Sequence, residues 1–182
     1  LVALSKSKPG TVNYSSFGIG SMAQLNLEAF NQKMGTDMLH VPYKGAAPAA
    51  QAAVAGEVGV TIAAVPAVQG FIKDGRLRAL AVGSDKRFAV LPDVPTMQEA
   101  GVAGYDASVW LALLAPAGTP RDVVMKLNAE IVKLMAQPET AKALSDAGVE
   151  VAPSSPEALG LYMAQELERW GKVVKEANIK LG

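Results

Sequence analysis

Apolar positions along the chain follow two rhythms. Short apolar runs bounded by glycine or proline predict strands, and longer stretches with apolar residues three and four apart predict helices. Leu1 to Lys6 reads as the last turns of a helix, stopped by Pro9-Gly10. Thr11 to Ser15 follows as a short strand, and Met22, Leu25, Ala29 and Phe30 then recur at helical spacing until Gly35. Met38 to Pro42 is a second strand, after which an alanine-rich helix runs from Gly45 to Ala55 and stops at Gly56. Val58 to Ala63 is a third strand, and Pro66 suits the first turn of a third helix that ends at Asp74-Gly75. Leu77 to Val82 is a fourth strand. Strand–helix alternation of this kind predicts an α/β fold, a parallel sheet with helices on its faces.

The second half is less regular. Leu91 to Thr96 holds two prolines and precedes a short helix ending near Gly101. Tyr105 to Leu114 reads as a longer, largely apolar strand. Ala115 to Pro120 is a turn with a helix start built in, Thr119 capping and Pro120 at the first helical position. This turn is the best candidate for a domain boundary. Val123, Val124, Leu127, Ile131 and Leu134 then form one helical face, and Pro138 opens a short helix ended by Gly148. Ser155-Pro156-Glu157 starts the last helix, with Leu159, Met163, Leu167, Trp170 and Val174 as its apolar face and a fraying tail after Asn178.

Composition narrows the function. The 182 residues are 50% apolar and 19% charged, enough for a packed core in one domain or one domain and part of a second. Seventeen basic residues balance seventeen acidic ones, so no charge surplus draws nucleic acid or anionic lipid. No apolar run reaches the length of a membrane span. Cysteine is absent and histidine occurs once, which removes disulfides, thiolate nucleophiles and His-rich metal sites. The chain begins at Leu1 with neither a charged leader nor a small-residue cleavage site, so that stretch is not a signal peptide and the chain reads as a piece of a longer protein.

In an open parallel sheet, ligands sit at the carboxyl ends of the strands. Three loops gather there: Ser15 to Ser21, Tyr43 to Ala46, and Ala63 to Pro66. The first has Gly18 and Gly20 for close backbone approach, hydroxyls on Ser16 and Ser21, and a following helix whose free amides favour an anion. It is either a carboxylate or phosphate cradle, or a tight turn with Ser21 and Gln24 as a capping box. Tyr43 either plugs the core edge or faces the crevice, and Lys44 is a surface charge unless the site recruits it. His40 reads as a packed, hydrogen-bonded strand residue, Trp110 and Trp170 as core, and Arg76 and Arg78 as surface charges at the far end of the sheet.

Catalytic and metal motifs are missing: no nucleophile elbow, no zinc-protease helix, no phosphate loop with its lysine. Gly18-Ile19-Gly20-Ser21-Met22-Ala23 does fit the looser dinucleotide fingerprint, which keeps an NADP-binding Rossmann-type domain as an alternative. That fingerprint wants an acidic residue at the end of the next strand. Asp37 precedes the strand instead, and Lys44 stands where a ribose phosphate could be held.

Six motifs in order resemble one family. They are Asn13 to Ser21, Val41-Pro42-Tyr43-Lys44-Gly45, Gly75 to Val82, Leu91 to Thr96, Glu99-Ala100-Gly101 and Ala115 to Pro120. Together they resemble the Bug family, the TctC-like substrate-binding receptors of tripartite tricarboxylate transporters. The resemblance implies a periplasmic-binding-protein-like fold of two domains closing on a small carboxylate, which is delivered to membrane transporter subunits without catalysis or cofactor. It implies that residues 1–113 are most of the second domain and 114–182 the C-terminal part of an incomplete first domain, which could dimerise through an apolar surface left uncovered. The ligand-binding residues it implies are Ser16, Phe17, Gly18, Gly20, Ser21, Tyr43, Lys44, Gly45, Ala63 and Ala64. Many members have His where this chain has Gln24, and a polar or acidic residue where it has Ala63; the latter disfavours a ligand with an ammonium group. A sensor using the same fold to contact a partner protein is the remaining alternative.

Overall fold

A computed structural model describes residues 1–107, 109–147 and 149–180. The chain divides into two compact units, Leu1–Ser108 with Trp170–Gly182, and Val109–Arg169.

The first unit carries helix α1 (Val2–Ser7), strand β1 (Asn13–Ser16), helix α2 (Met22–Met34), strand β2 (Leu39–Pro42), helix α3 (Ala46–Ala55), strand β3 (Val60–Thr61) and helix α4 (Val65–Lys73). The strands are parallel, in the order β2-β1-β3, with Tyr14 opposite His40 and Val60. Helices α2 and α3 both pack on β1. Tyr14, Ser15 and Ser16 are accordingly completely buried, although all three are polar. Their polar atoms are paired, as burial demands. The Tyr14 hydroxyl donates to Glu28 Oε1 at 2.6 Å. Ser15 Oγ lies 2.9 Å from both Ala49 O and Thr61 Oγ1.

Around Tyr14 the core gathers Val12, Leu27, Phe30, Met38, Val102 and Tyr105. Tyr105 meets Phe30 edge-on at 5.9 Å and donates its hydroxyl to Asn26 O at 2.5 Å. Leu25, Trp170 and Val173 form a second cluster, against which Ile179 packs. The Ile179 N–H also reaches Val174 O at 3.0 Å, so the tail is tied down one residue past Asn178 rather than frayed there.

Several expected elements differ. The third strand shrinks to two residues, and Leu77 to Val82 is not a strand. Only Val82 forms a bridge, parallel to Thr96; among the described residues no strand lies beside Leu77 to Ala81 to accept their ladder bonds. The helix expected before Gly101 is a turn. It is held by a reciprocal pair: Thr96 N–H donates to Glu99 Oε2 at 2.8 Å, and Glu99 N–H to Thr96 Oγ1 at 3.1 Å. Glu99 also accepts Arg87 Nε at 2.8 Å.

The second unit holds α5 (Arg121–Met135), α6 (Pro138–Asp146) and the first part of α7 (Pro156–Glu176). The stretch from Tyr105 to Leu114 is no strand in its described residues. The cap of α5 falls on Pro120, one residue later than expected, and the Thr119 hydroxyl donates to Pro116 O at 2.8 Å. The Gly148 stop of α6 lies outside the described residues. Ser155 Oγ accepts the Ala158 N–H at 3.1 Å and so caps α7 as expected. The expected apolar face of α7 holds except at Leu167, which is 78% exposed. Glu166 is buried instead, accepting Trp110 Nε1 at 3.1 Å and Arg169 at 3.2 Å. Among the described residues no helix is long and apolar enough to cross a membrane.

Candidate ligand site

Parallel pairing puts the carboxyl ends of β1, β2 and β3 on one edge of the sheet. The chain passes from β1 to β2 and then back beyond β1 to β3, so its direction of travel reverses at β1. Such a reversal opens a crevice between the loops that leave the strands.

The loop after β1 is shaped by glycine. Gly18 has φ 138° and Gly20 φ 75°, conformations that side chains resist. The Ser21 N–H closes the turn on Gly18 O at 3.2 Å. Ser21 caps α2 through its backbone, but its hydroxyl is covered and has no partner among the described residues. The expected capping box is therefore half-formed and displaced. Gln24 Oε1 accepts the Gly20 N–H at 2.8 Å, one residue before the cap. The first-turn amides of Met22, Ala23 and Gln24 have no backbone acceptor among the described residues, and the helix dipole adds partial positive charge there.

Ser16 lies beneath this loop with no exposure. Its Oγ is 2.5 Å from His40 Nε2 and 3.0 Å from Gly18 O, and it accepts the Gly18 N–H at 3.2 Å. The hydroxyl is thus engaged inside the loop. The half-buried His40 ring stacks on Tyr14 at 5.1 Å. Burial holds its pKa below the ordinary 6.5, partly opposed by the Glu28 carboxylate. Burial, and then the bond to Glu28, push the Tyr14 phenol well above its ordinary range.

The second loop adjoins the first. The Tyr43 N–H donates to Ser16 O at 2.9 Å, and a side chain begun at Gly18 would lie 3.9 Å from Tyr43 O. The Tyr43 hydroxyl reaches back to Glu57 Oε2 at 3.2 Å, while Lys44 is exposed. Gly45 caps α3 with φ 118°. In the third loop Ala63 is half-buried and Ala64 is exposed, capping α4. The structure thus joins the first two loops by hydrogen bonding and sets the third at the end of the neighbouring strand. Asp37 is exposed and precedes β2, as expected, so no acidic residue stands where the dinucleotide fingerprint needs one. The His40–Ser16 contact and the Tyr14–Glu28 pair go beyond the sequence reading. Their signal was the period-two alternation that puts Tyr14 and Ser16 on one face of β1.

First-turn amides without a backbone acceptor among the described residues, glycine turns and a helix N-terminus can together hold an anion. The chain matches the family described as tripartite tricarboxylate transporter family receptor, TctC, over residues 1–179. It belongs to that family. Protein BugT of Bordetella pertussis is 35% identical over 181 residues, covering 100% of this chain and 56% of its own length. Among solved structures, R. palustris Rpa4515 with adipate superposes with a TM-score of 0.86 at 33% identity, over 98% of this chain and 60% of that one. MatC from Rhodopseudomonas palustris with bound malate gives 0.76 at 30% identity, over 95% and 60%. The chain spans about half the length of the relatives it matches. The Bug-like, α/β expectation therefore holds, and the glycine loop, the Tyr43–Gly45 loop and the Ala63–Ala64 turn belong to a TctC-family fold.

Proposed function

We propose that this chain supplies ligand loops to a periplasmic solute-binding receptor, which captures a small carboxylate and passes it to the membrane subunits of a tripartite tricarboxylate-type transporter. One observation carries the reading. Three amides at the start of α2, with no backbone acceptor among the described residues, stand beside a glycine turn at the edge where the sheet reverses. A carboxylate accepts such amides and gains from the helix dipole. Ligands of this class in Rpa4515 and MatC support it.

In this reading Gly18, Gly20 and Ser21 approach the ligand, Ser16 and Phe17 shape the turn, and Tyr43, Lys44 and Gly45 flank it from the second loop. Ala63 and Ala64 border it without adding charge, which suits an acid lacking an ammonium group. The chain acts by holding its ligand and breaks no bond in it. We read residues 1–113 as most of one receptor domain and 114–182 as the C-terminal part of the other; the two compact units divide near the first bound, while Trp170–Gly182 groups with Leu1–Ser108.

The test is a thermal-shift titration of the chain with adipate, malate and citrate, with NADP as the competing class. A carboxylate at about a hundred times its Kd adds about 2.7 kcal/mol of stability. Binding that weakens with Ser21→Ala supports the assignment. Binding of NADP alone would replace it with the dinucleotide alternative.

A further inference from the structure

Ser16 has one hydroxyl proton and two partners that can take it. Its oxygen lies 2.5 Å from His40 Nε2 and 3.0 Å from Gly18 O, and it also accepts the Gly18 N–H. A hydroxyl donates once and accepts twice. When His40 Nε2 is bare, the Ser16 proton goes to it, and among the described contacts Gly18 O keeps the Ser21 N–H at 3.2 Å. When Nε2 carries a proton, His40 donates to Ser16 Oγ and the Ser16 proton turns to Gly18 O. Gly18 is then held at both its N–H and its carbonyl by one side chain.

We infer that His40, its neutral ring protonated at Nδ1, is a positioning residue for the ligand loop, the gain of an Nε2 proton selecting through Ser16 which of two hydrogen-bond arrangements Gly18 adopts. The surroundings make this selection sensitive. Tyr14 from β1 stacks on the ring, and Glu28 from α2 is the charged group felt by it. The Tyr14 hydroxyl already donates to Glu28, so among the described contacts Ser16 is the hydrogen-bond partner of Nε2. The doubly held turn and the added positive charge both favour an anion. Carboxylate binding and imidazole protonation are therefore mutually reinforcing, and each raises the affinity for the other. This last consequence rests on the carboxylate-receptor reading; the loop coupling itself does not.

His40 is the one histidine of the chain, so its titration is unambiguous. The first experiment follows imidazole and backbone amide NMR shifts of the free chain from about pH 5 to about pH 8. The Gly18 and Ile19 amides should titrate with the imidazole midpoint. They should go flat in His40→Gln, which keeps a donor without a titratable proton, and lose the coupling in Ser16→Ala while the imidazole still titrates. Gly18 shifts indifferent to the imidazole, or unchanged coupling in Ser16→Ala, overturn the inference. The second experiment measures adipate affinity over the same range. It should rise about fivefold as the imidazole protonates and lose that rise in His40→Gln, the ligand's own protonation being common to both. The same profile in both proteins overturns the link to binding. Intact amide coupling with no adipate binding would count against the receptor reading and leave the positioning role standing.

Discussion

Strand β1 and the stretch from Tyr105 to Leu114 invert the usual relation between polarity and burial. β1 reads Asn-Tyr-Ser-Ser, yet its last three residues are wholly covered. The later stretch is mostly apolar, and along one alternate set Tyr105 and Ala107 are 6% and 9% exposed while Val109, Leu111 and Leu113 are 64%, 85% and 74% exposed. What differs is the partners. β1 has a strand on each side and helices α2 and α3 packed on it, and its hydroxyls find acceptors within those elements. Past Ala107 no strand among the described residues pairs with the chain. Burial follows from what lies alongside a segment, and hydrophobicity only makes that burial favourable.

That contrast can be broken at three points. Tyr14→Ala should cost most, about 3–5 kcal/mol by chemical denaturation, because it empties the centre of the core and leaves Glu28 without its donor. Tyr14→Phe, which keeps the ring, should recover most of the loss. Gly83→Ala comes next, at about 1–3 kcal/mol, since its new carbon would stand 2.8 Å from the Ala107 side chain and 3.1 Å from its backbone. A thermal melt at or above the parent value would show that the Ala107 segment yields easily. Leu111→Ser should change stability by no more than about 0.5 kcal/mol. A large destabilisation there would mean that this stretch is covered in solution, by a second copy for instance, and sedimentation would reveal it.

Much of the first unit was legible because its signals are local. Pro66 at the start of α4 and Gly35 and Gly56 after α2 and α3 act through their own backbone, so element order and the three strand-end loops follow from the residues alone. Strands that need a neighbour were not legible in this way. Leu77 to Val82 has the right pattern and only Val82 finds a bridge. Side-chain pairing was harder still. Glu28 lies 14 residues from Tyr14 and His40 lies 24 from Ser16; the packing of α2 on β1 brings the first pair together, and the parallel register of β1 and β2 the second. The short helix expected before Gly101 was missed for a similar reason: Thr96 and Glu99 bond each other reciprocally and close a turn there.

The two tryptophans fall one in each compact unit. Trp110 sits edge-on to Tyr162 at 5.5 Å within the second unit, and Trp170 is buried beside Leu25 and Val173 within the first. The chain therefore carries its own pair of optical reporters. With Trp170→Phe the emission follows the second unit alone, and with Trp110→Phe it follows the first. If the two emission changes coincide along a denaturant series, the units melt as one cooperative body. If they separate, each has its own midpoint, and a single melting temperature would not describe the protein.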